Sequence, residues 1–150
     1  MNGQARARRA GISTTLARRG VRVTGARRAV LDVLTRNQLP LTVSQIHERV
    51  GGKQANVASV YRTVNLLAGI GLLRTTDSVR GSRRYELHEE FTGHHHHVIC
   101  QVCGRIEDLQ GCLIDDQTLA RLNRRMRQQR RFRVTNHELH LFGVCQECDR

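Results

Sequence analysis

Tryptophan is absent from this chain of 150 residues, and aromatic residues reach only 3%, so any core must be aliphatic. Hydrophobic residues make up 39%, enough for a core but not a rich one. Two small cores of this kind would be marginal alone, which points to help from a metal, a dimer interface or both. Long apolar runs are missing too. Nothing approaches the roughly 20 residues of a bilayer span, and no signal-peptide core is visible, so no membrane partner is expected. Lysine is nearly absent: of 25 Lys+Arg residues only Lys53 is lysine. The remaining arginines present forks that suit phosphates and guanine edges, although an arginine-favouring codon bias produces the same composition. No Gly-rich phosphate loop follows a strand and no nucleophile motif occurs, so the chain does not read as an enzyme.

What is present is charge and sulfur. The formal net charge of +12 favours polyanions through steering and counterion release, with nucleic acid the first suspect and an anionic membrane surface the second. The five cysteines are Cys100, Cys103, Cys112, Cys145 and Cys148. An odd count in CxxC pairs argues against a secreted disulfide framework and for a reducing cytoplasm with thiolate metal ligation.

Apolar periodicity divides the chain. Residues 1–20 are arginine-rich without a clear period and read as a basic flexible arm, with at most a short helix. Residues 21–87 read as three small helices and a hairpin, a winged helix-turn-helix. Ala26, Val30, Val33 and Leu34 share one helical face; Val43, Ile46 and Val50 share another, behind Thr42 as N-cap. Val57, Val60, Val64 and Leu67 form the buried stripe of the third helix, which Gly69 and Gly71 end. Leu72–Thr76 and Arg83–Leu87 read as hairpin strands. Residues 88–97 are a polar hinge rich in His and Glu. Residues 98–150 form a small α/β domain, with strands at Val98–Cys100 and Arg105–Leu109, a helix carrying Ile114, Leu119, Leu122 and Met126, and a strand over Phe132–Phe142. The fold class expected is therefore α+β.

Three constellations carry chemistry. Cys100-Gln-Val-Cys103 and Cys145-Gln-Glu-Cys148 let four thiolates converge on a structural Zn2+, a closed and non-catalytic site. Redox or incidental thiols are the alternative. His94-His95-His96-His97 stands on an extended segment, so His94 and His96 face one way, His95 and His97 the other. One tetrad can then serve two metal sites; the bland reading is a solvated polar hinge. Asp115, His137, Glu86, His88, Glu89 and Glu90 are further candidate ligands. Third, the helix near residues 56–68 presents Ser59, Tyr61, Arg62 and Asn65 outward, as major-groove entry requires. Arg22, Arg27, Lys53, Arg83 and Arg84 are candidate phosphate contacts.

These motifs, in this order, resemble the ferric uptake regulator family of bacterial metal-dependent repressors. Gly20–Arg27 is similar to the family's entry to the DNA-binding helices and Val57–Asn65 to its recognition helix. Arg84-Tyr-Glu-Leu87 is similar to its final wing strand. His94–Gly104, Thr135–Leu139 and Phe142–Cys148 complete the match. The resemblance implies a homodimer on an inverted-repeat DNA operator, with the second domain dimerising around the structural zinc. It implies a sensing site of His94, His96, Asp115 and His137. A hinge site would use His95 and His97 with Glu86 as carboxylate, His88 and Glu90 competing. The regulatory cation would be Fe2+ or Zn2+, with Mn2+ also accepted. Two departures stand out. Many members carry a loop histidine where this chain has Pro40, leaving the hinge to recruit Asp77 or no further ligand; iron sensors often carry aspartate where His96 stands. Cys112 has no partner in the pattern and reads as a structural thiol. The expected function is repression of iron- or zinc-uptake genes. The rivals are a peroxide-sensing regulator of the same family, a zinc-binding protein without specific DNA binding, and a metallohydrolase.

Overall fold

The computed structural model describes residues 2–77 and 81–150, with side chains from Ala7 onward except that of Asp77. The chain divides after Gly93 into two compact units.

The first unit opens with α1 (Asn2–Arg18), where a flexible arm was expected. Ile12 and Leu16, one turn apart, are buried in the core of this unit. Arg8 ties the helix down by donating to the carbonyls of Phe91 (2.9 Å) and Thr35 (3.3 Å). The many arginines of this segment mask that two-residue stripe from a periodicity reading.

Three capped helices follow. α2 (Gly25–Arg36) starts at Thr24, whose hydroxyl accepts from the Arg27 N–H, and buries Val30, Leu31 and Leu34. α3 (Val43–Val50) begins with a reciprocal capping box: Gln45 N–H donates to Thr42 Oγ1 at 3.2 Å, and Thr42 N–H to Gln45 Oε1 at 3.0 Å. α4 (Val57–Gly69) is capped by Asn56, whose Oδ1 accepts from Ser59 N–H at 2.8 Å. It buries Val60, Thr63, Val64 and Leu67. Val57, expected in that stripe, is 53% exposed, because it opens the first turn, ahead of the point where the helix meets the core.

β1 (Leu41–Thr42), β2 (Leu73–Asp77) and β3 (Arg83–Leu87) form an antiparallel sheet in the order β1-β3-β2. Leu87 opposes Leu73 and Arg83 opposes Asp77. The short α5 (Glu89–Thr92) ends the unit. Helices and hairpin together make a winged helix.

The second unit is a three-stranded sheet and one helix. β4 (His95–Cys100) lies between antiparallel β5 (Ile106–Gln110) and parallel β6 (His140–Gly143). α6 (Asp116–Arg130) buries no residue. The strand expected over Phe132–Phe142 is confined to β6. Ahead of it, Asn123 on α6 satisfies the backbone of Val134, donating to its carbonyl and accepting from its N–H at 3.3 Å each. A side chain thus takes the place of a ladder partner. Among the described residues, no helix is long and apolar enough to cross a membrane.

Candidate metal centres and nucleic-acid face

The four paired cysteines converge. Their sulfurs all lie within 4.8 Å of one another, with Cys103 and Cys145 3.7 Å apart. Sheet register brings this about: Cys100 closes β4 opposite Gly143 of β6, so the chain leaving β6 delivers Cys145 to the first knuckle. Each knuckle is a tight turn. Gly104 N–H donates to Cys100 C=O at 2.9 Å and Cys148 N–H to Cys145 C=O at 2.8 Å. Gly104 has φ 74°, a left-handed conformation that favours glycine. The Cys145 N–H donates to Cys100 Sγ at 3.3 Å. The backbone N–H groups of Cys103 and Cys145 lower the Cys100 pKa to about 6, while S–H contacts with Cys145 and Cys103 raise Cys148 to about 12. Four converging sulfurs suit a tetrahedral, closed thiolate site.

The histidine tetrad divides as strand alternation demands. To one side, His94 just ahead of β4 and His96 on it have rings 4.6 Å apart between centroids, and His137 lies 4.6 Å from His94 and 5.4 Å from His96. His96 is 1% exposed, and neither of its ring nitrogens has a hydrogen-bond partner. Burial, then the neighbouring histidines, lower its pKa, which keeps the imidazole neutral as a ligand must be. The fourth donor differs from the expectation. Cys112 joins the three histidines, all four donor atoms lying within 4.8 Å of one another. Asp115 is not in the group. Its carboxylate caps α6, accepting from the N–H and the hydroxyl of Thr118 at 2.8 Å each.

On the other face, the His95 and His97 rings are 5.1 Å apart and both residues are buried. Glu86 lies on β3 of the first unit, buried, and accepts from Arg74 Nη2 at 2.8 Å. Of its competitors, His88 caps α5 by accepting from Glu90 N–H, and Glu90 is exposed. The Asp77 side chain lies outside the described residues. Pro40 is buried.

On the first unit, Tyr61 (55% exposed), Arg62 and Asn65 lie on the open side of α4. Ser59 is half-buried, 3.5 Å from Arg62 Nη2. Arg22 and Lys53 are exposed and Arg27 half-buried. Arg84 is half-buried and reaches the Pro40 carbonyl (3.5 Å) and Gln45 Oε1 (3.4 Å), so it braces the wing against the start of α3. Tyr61 of α4 and Arg83 of the wing line a common groove with Thr42, Ser44, Ser82 and Tyr85.

The family model described as the ferric uptake regulator family matches residues 18–142. The chain belongs to the ferric uptake regulator family. This regulator is 32% identical over 140 residues to the peroxide operon regulator of Bacillus subtilis (strain 168), covering 91% of this chain and 90% of that protein. It is 30% identical to the peroxide-responsive repressor of Staphylococcus aureus (strain USA300), covering 89% and 86%. In fold it is similar to the Helicobacter pylori ferric uptake regulator, with TM-score 0.74, 24% identity, and coverage of 97% and 94%. Membership makes this protein a metal-responsive transcription regulator with a winged-helix DNA-binding unit.

Three residues in this regulator's second unit escaped the sequence reading. Cys112 read as a structural thiol. Asp108 stands opposite His97 in the β4–β5 register, and its Oδ1 is buried without a hydrogen-bond partner. His140 stands opposite His97 in the β4–β6 register, with rings 5.7 Å apart. Only strand pairing reveals the last two. Cys112 carried a usable signal, since it is a thiol three residues from the carboxylate expected to ligate.

Proposed function

We propose that this chain is a homodimeric, metal-dependent repressor of metal-homeostasis genes, those for iron or zinc uptake. The observation that carries the reading is β4, whose alternating imidazoles supply donors to two separate faces of one strand. Cys100, Cys103, Cys145 and Cys148 would hold a structural Zn2+. His95 and His97, with Glu86 as carboxylate, would hold a regulatory Fe2+, Zn2+ or Mn2+; His94, His96 and His137 would hold another. Bound there, a divalent cation would supply ligation that favours whichever conformation it binds better. Shifting such an equilibrium from 1:99 to 99:1 takes about 5.5 kcal/mol of differential binding.

The protein's own residues do the rest. Tyr61, Arg62, Ser59 and Asn65 enter a major groove, while Arg22, Arg27, Lys53 and Arg84 hold phosphates. Two copies read an inverted repeat. Leu113, Leu122, Phe132 and Phe142, all more than 40% exposed, offer apolar surface for the second copy.

Operator affinity measured anaerobically, in chelator and then with Fe2+, Zn2+ or Mn2+, tests this reading. Tight binding only with metal is expected; equal affinity in both would overturn it. A second reading, peroxide sensing, is favoured by what the two bacterial relatives named above are. It predicts a gain of ~16 Da, one oxygen atom, on metal-site histidines after peroxide treatment of the iron-loaded protein, in keeping with side-chain oxidation chemistry. An unmodified, still repressing protein would exclude it.

A further inference from the structure

Cys112 lies in the loop between β5 and α6, outside the four-thiol cluster. Its Sγ is 3.2 Å from Nε2 of His137 and 3.0 Å from the Ile114 carbonyl. It belongs to a group of four donor atoms, three imidazole and one sulfur, all within 4.8 Å of one another. A single thiol would not define a site. His96 supplies the independent observation: it is 1% exposed, and both ring nitrogens are buried without hydrogen-bond partners. Such nitrogens are costly to bury unless something fills their coordination. The carboxylate that the family pattern would place here is already committed, because both Asp115 oxygens accept from Thr118.

We propose that Cys112 is a metal ligand, and that His94, His96, His137 and Cys112 form a three-nitrogen, one-sulfur centre selective for Zn2+. The inference rests on the reading of the three histidines as a metal site and names the ligand that decides its preference. Tetrahedral nitrogen–sulfur sets suit Zn2+, whereas oxygen-rich sets suit harder cations such as Mn2+. Cys112 is exposed, so its thiol proton can leave to solvent as the thiolate ligates. The replacement of a carboxylate by a thiolate moves this centre away from the iron and manganese preference that a histidine–carboxylate set allows.

Titration with Co2+ of full-length protein carrying zinc in its four-thiol cluster tests the assignment, with native mass spectrometry verifying that this zinc stays in place. One equivalent should produce a sulfur-to-cobalt charge-transfer band and strong tetrahedral d–d bands. C112S should lose the charge-transfer band and bind at least ~10-fold more weakly, since even outer-shell changes cost about 10–100-fold in metal affinity. C112H should regain cation binding without the band, so a folding defect in C112S cannot stand in for ligand loss. D115N preserves helix capping and should keep the wild-type spectrum. An unchanged spectrum and affinity in C112S, or loss of the centre in D115N, would overturn the proposal. Operator affinity separates this from the regulatory reading. Cobalt held through Cys112 with no effect on DNA binding would sink the regulation and leave the ligand; a metal-dependent DNA response with an unaltered C112S spectrum would do the reverse.

Discussion

At position 115 the carboxylate accepts from the Thr118 N–H and hydroxyl, both at 2.8 Å, and these bonds lower its pKa below the ordinary 3.8. A depressed carboxylate pKa contributes stability that is present above the unfolded value and lost as pH falls through the folded one. The helix that Asp115 starts should therefore lose its cap in acid, below the normal carboxylate range. Asp115→Ala should lower helicity and melting temperature at neutral pH, whereas Asp115→Asn should not, because Asn caps as well as Asp. Circular dichroism of the two variants between neutral and acid pH checks this; a loss of helix in both would mean that the charge, not the cap, matters. Thr42 makes the same kind of contribution to α3. Thr42→Ala removes one acceptor of a reciprocal pair and should cost about 1 kcal/mol in denaturant unfolding, with zinc content unchanged.

Elements differ in how plainly their residues announce them. α3 and α4 were legible because each carries an aliphatic stripe, and α3 also because it opens on the polar cap Thr42; the boundary error at Val57 arose because periodicity cannot say where the core begins. The two CxxC knuckles were legible from spacing alone, since the chemistry needs only two turns. α1 was not, because among its described side chains Ile12 and Leu16 are the only buried anchors in a field of arginines, and their partners on other elements are visible only once folded. The group beside His94, His96 and His137 also depends on tertiary placement: the family resemblance implies Asp115, and the fold brings the Cys112 sulfur there. α1 should accordingly behave as part of the winged helix. Leu16→Ala, at a site 3% exposed, should cost about 3 kcal/mol and lower operator affinity together with the melting temperature. An unperturbed melt would show that α1 contributes no packing in solution. On α4, Arg62→Ala should weaken operator binding without moving the melting temperature, because its side chain is exposed.

For the whole molecule, the two units are unequally furnished. The first gathers sixteen buried apolar residues into one cluster, whereas the buried apolar residues described beyond His94 are Ile99, Cys100 and Ile106. So few cannot offset the chain entropy of ordering that many residues. Two reinforcements are at hand: four sulfurs whose metal would tie together the chain segments leaving β4 and β6, and apolar side chains at the surface, Leu122, Phe132 and Phe142 among them, which a second copy would cover. Both predict that the second unit is the conditional one. Stripping zinc with a strong chelator under reducing conditions should unfold it first, splitting one thermal transition into two and leaving the winged helix to melt near its original temperature. Leu122→Asp should halve the mass seen by sedimentation at micromolar protein while the zinc is retained. If the dimer reads an inverted repeat, that variant should also lose affinity for a full operator far more than for a half-site, because two linked reading heads bind with an effective concentration that one lacks. A zinc-free protein with a single unshifted transition would mean that the second unit is held by something other than its thiols. A dimer that survives Leu122→Asp would move the interface away from α6, to the surface around Phe132 and Phe142.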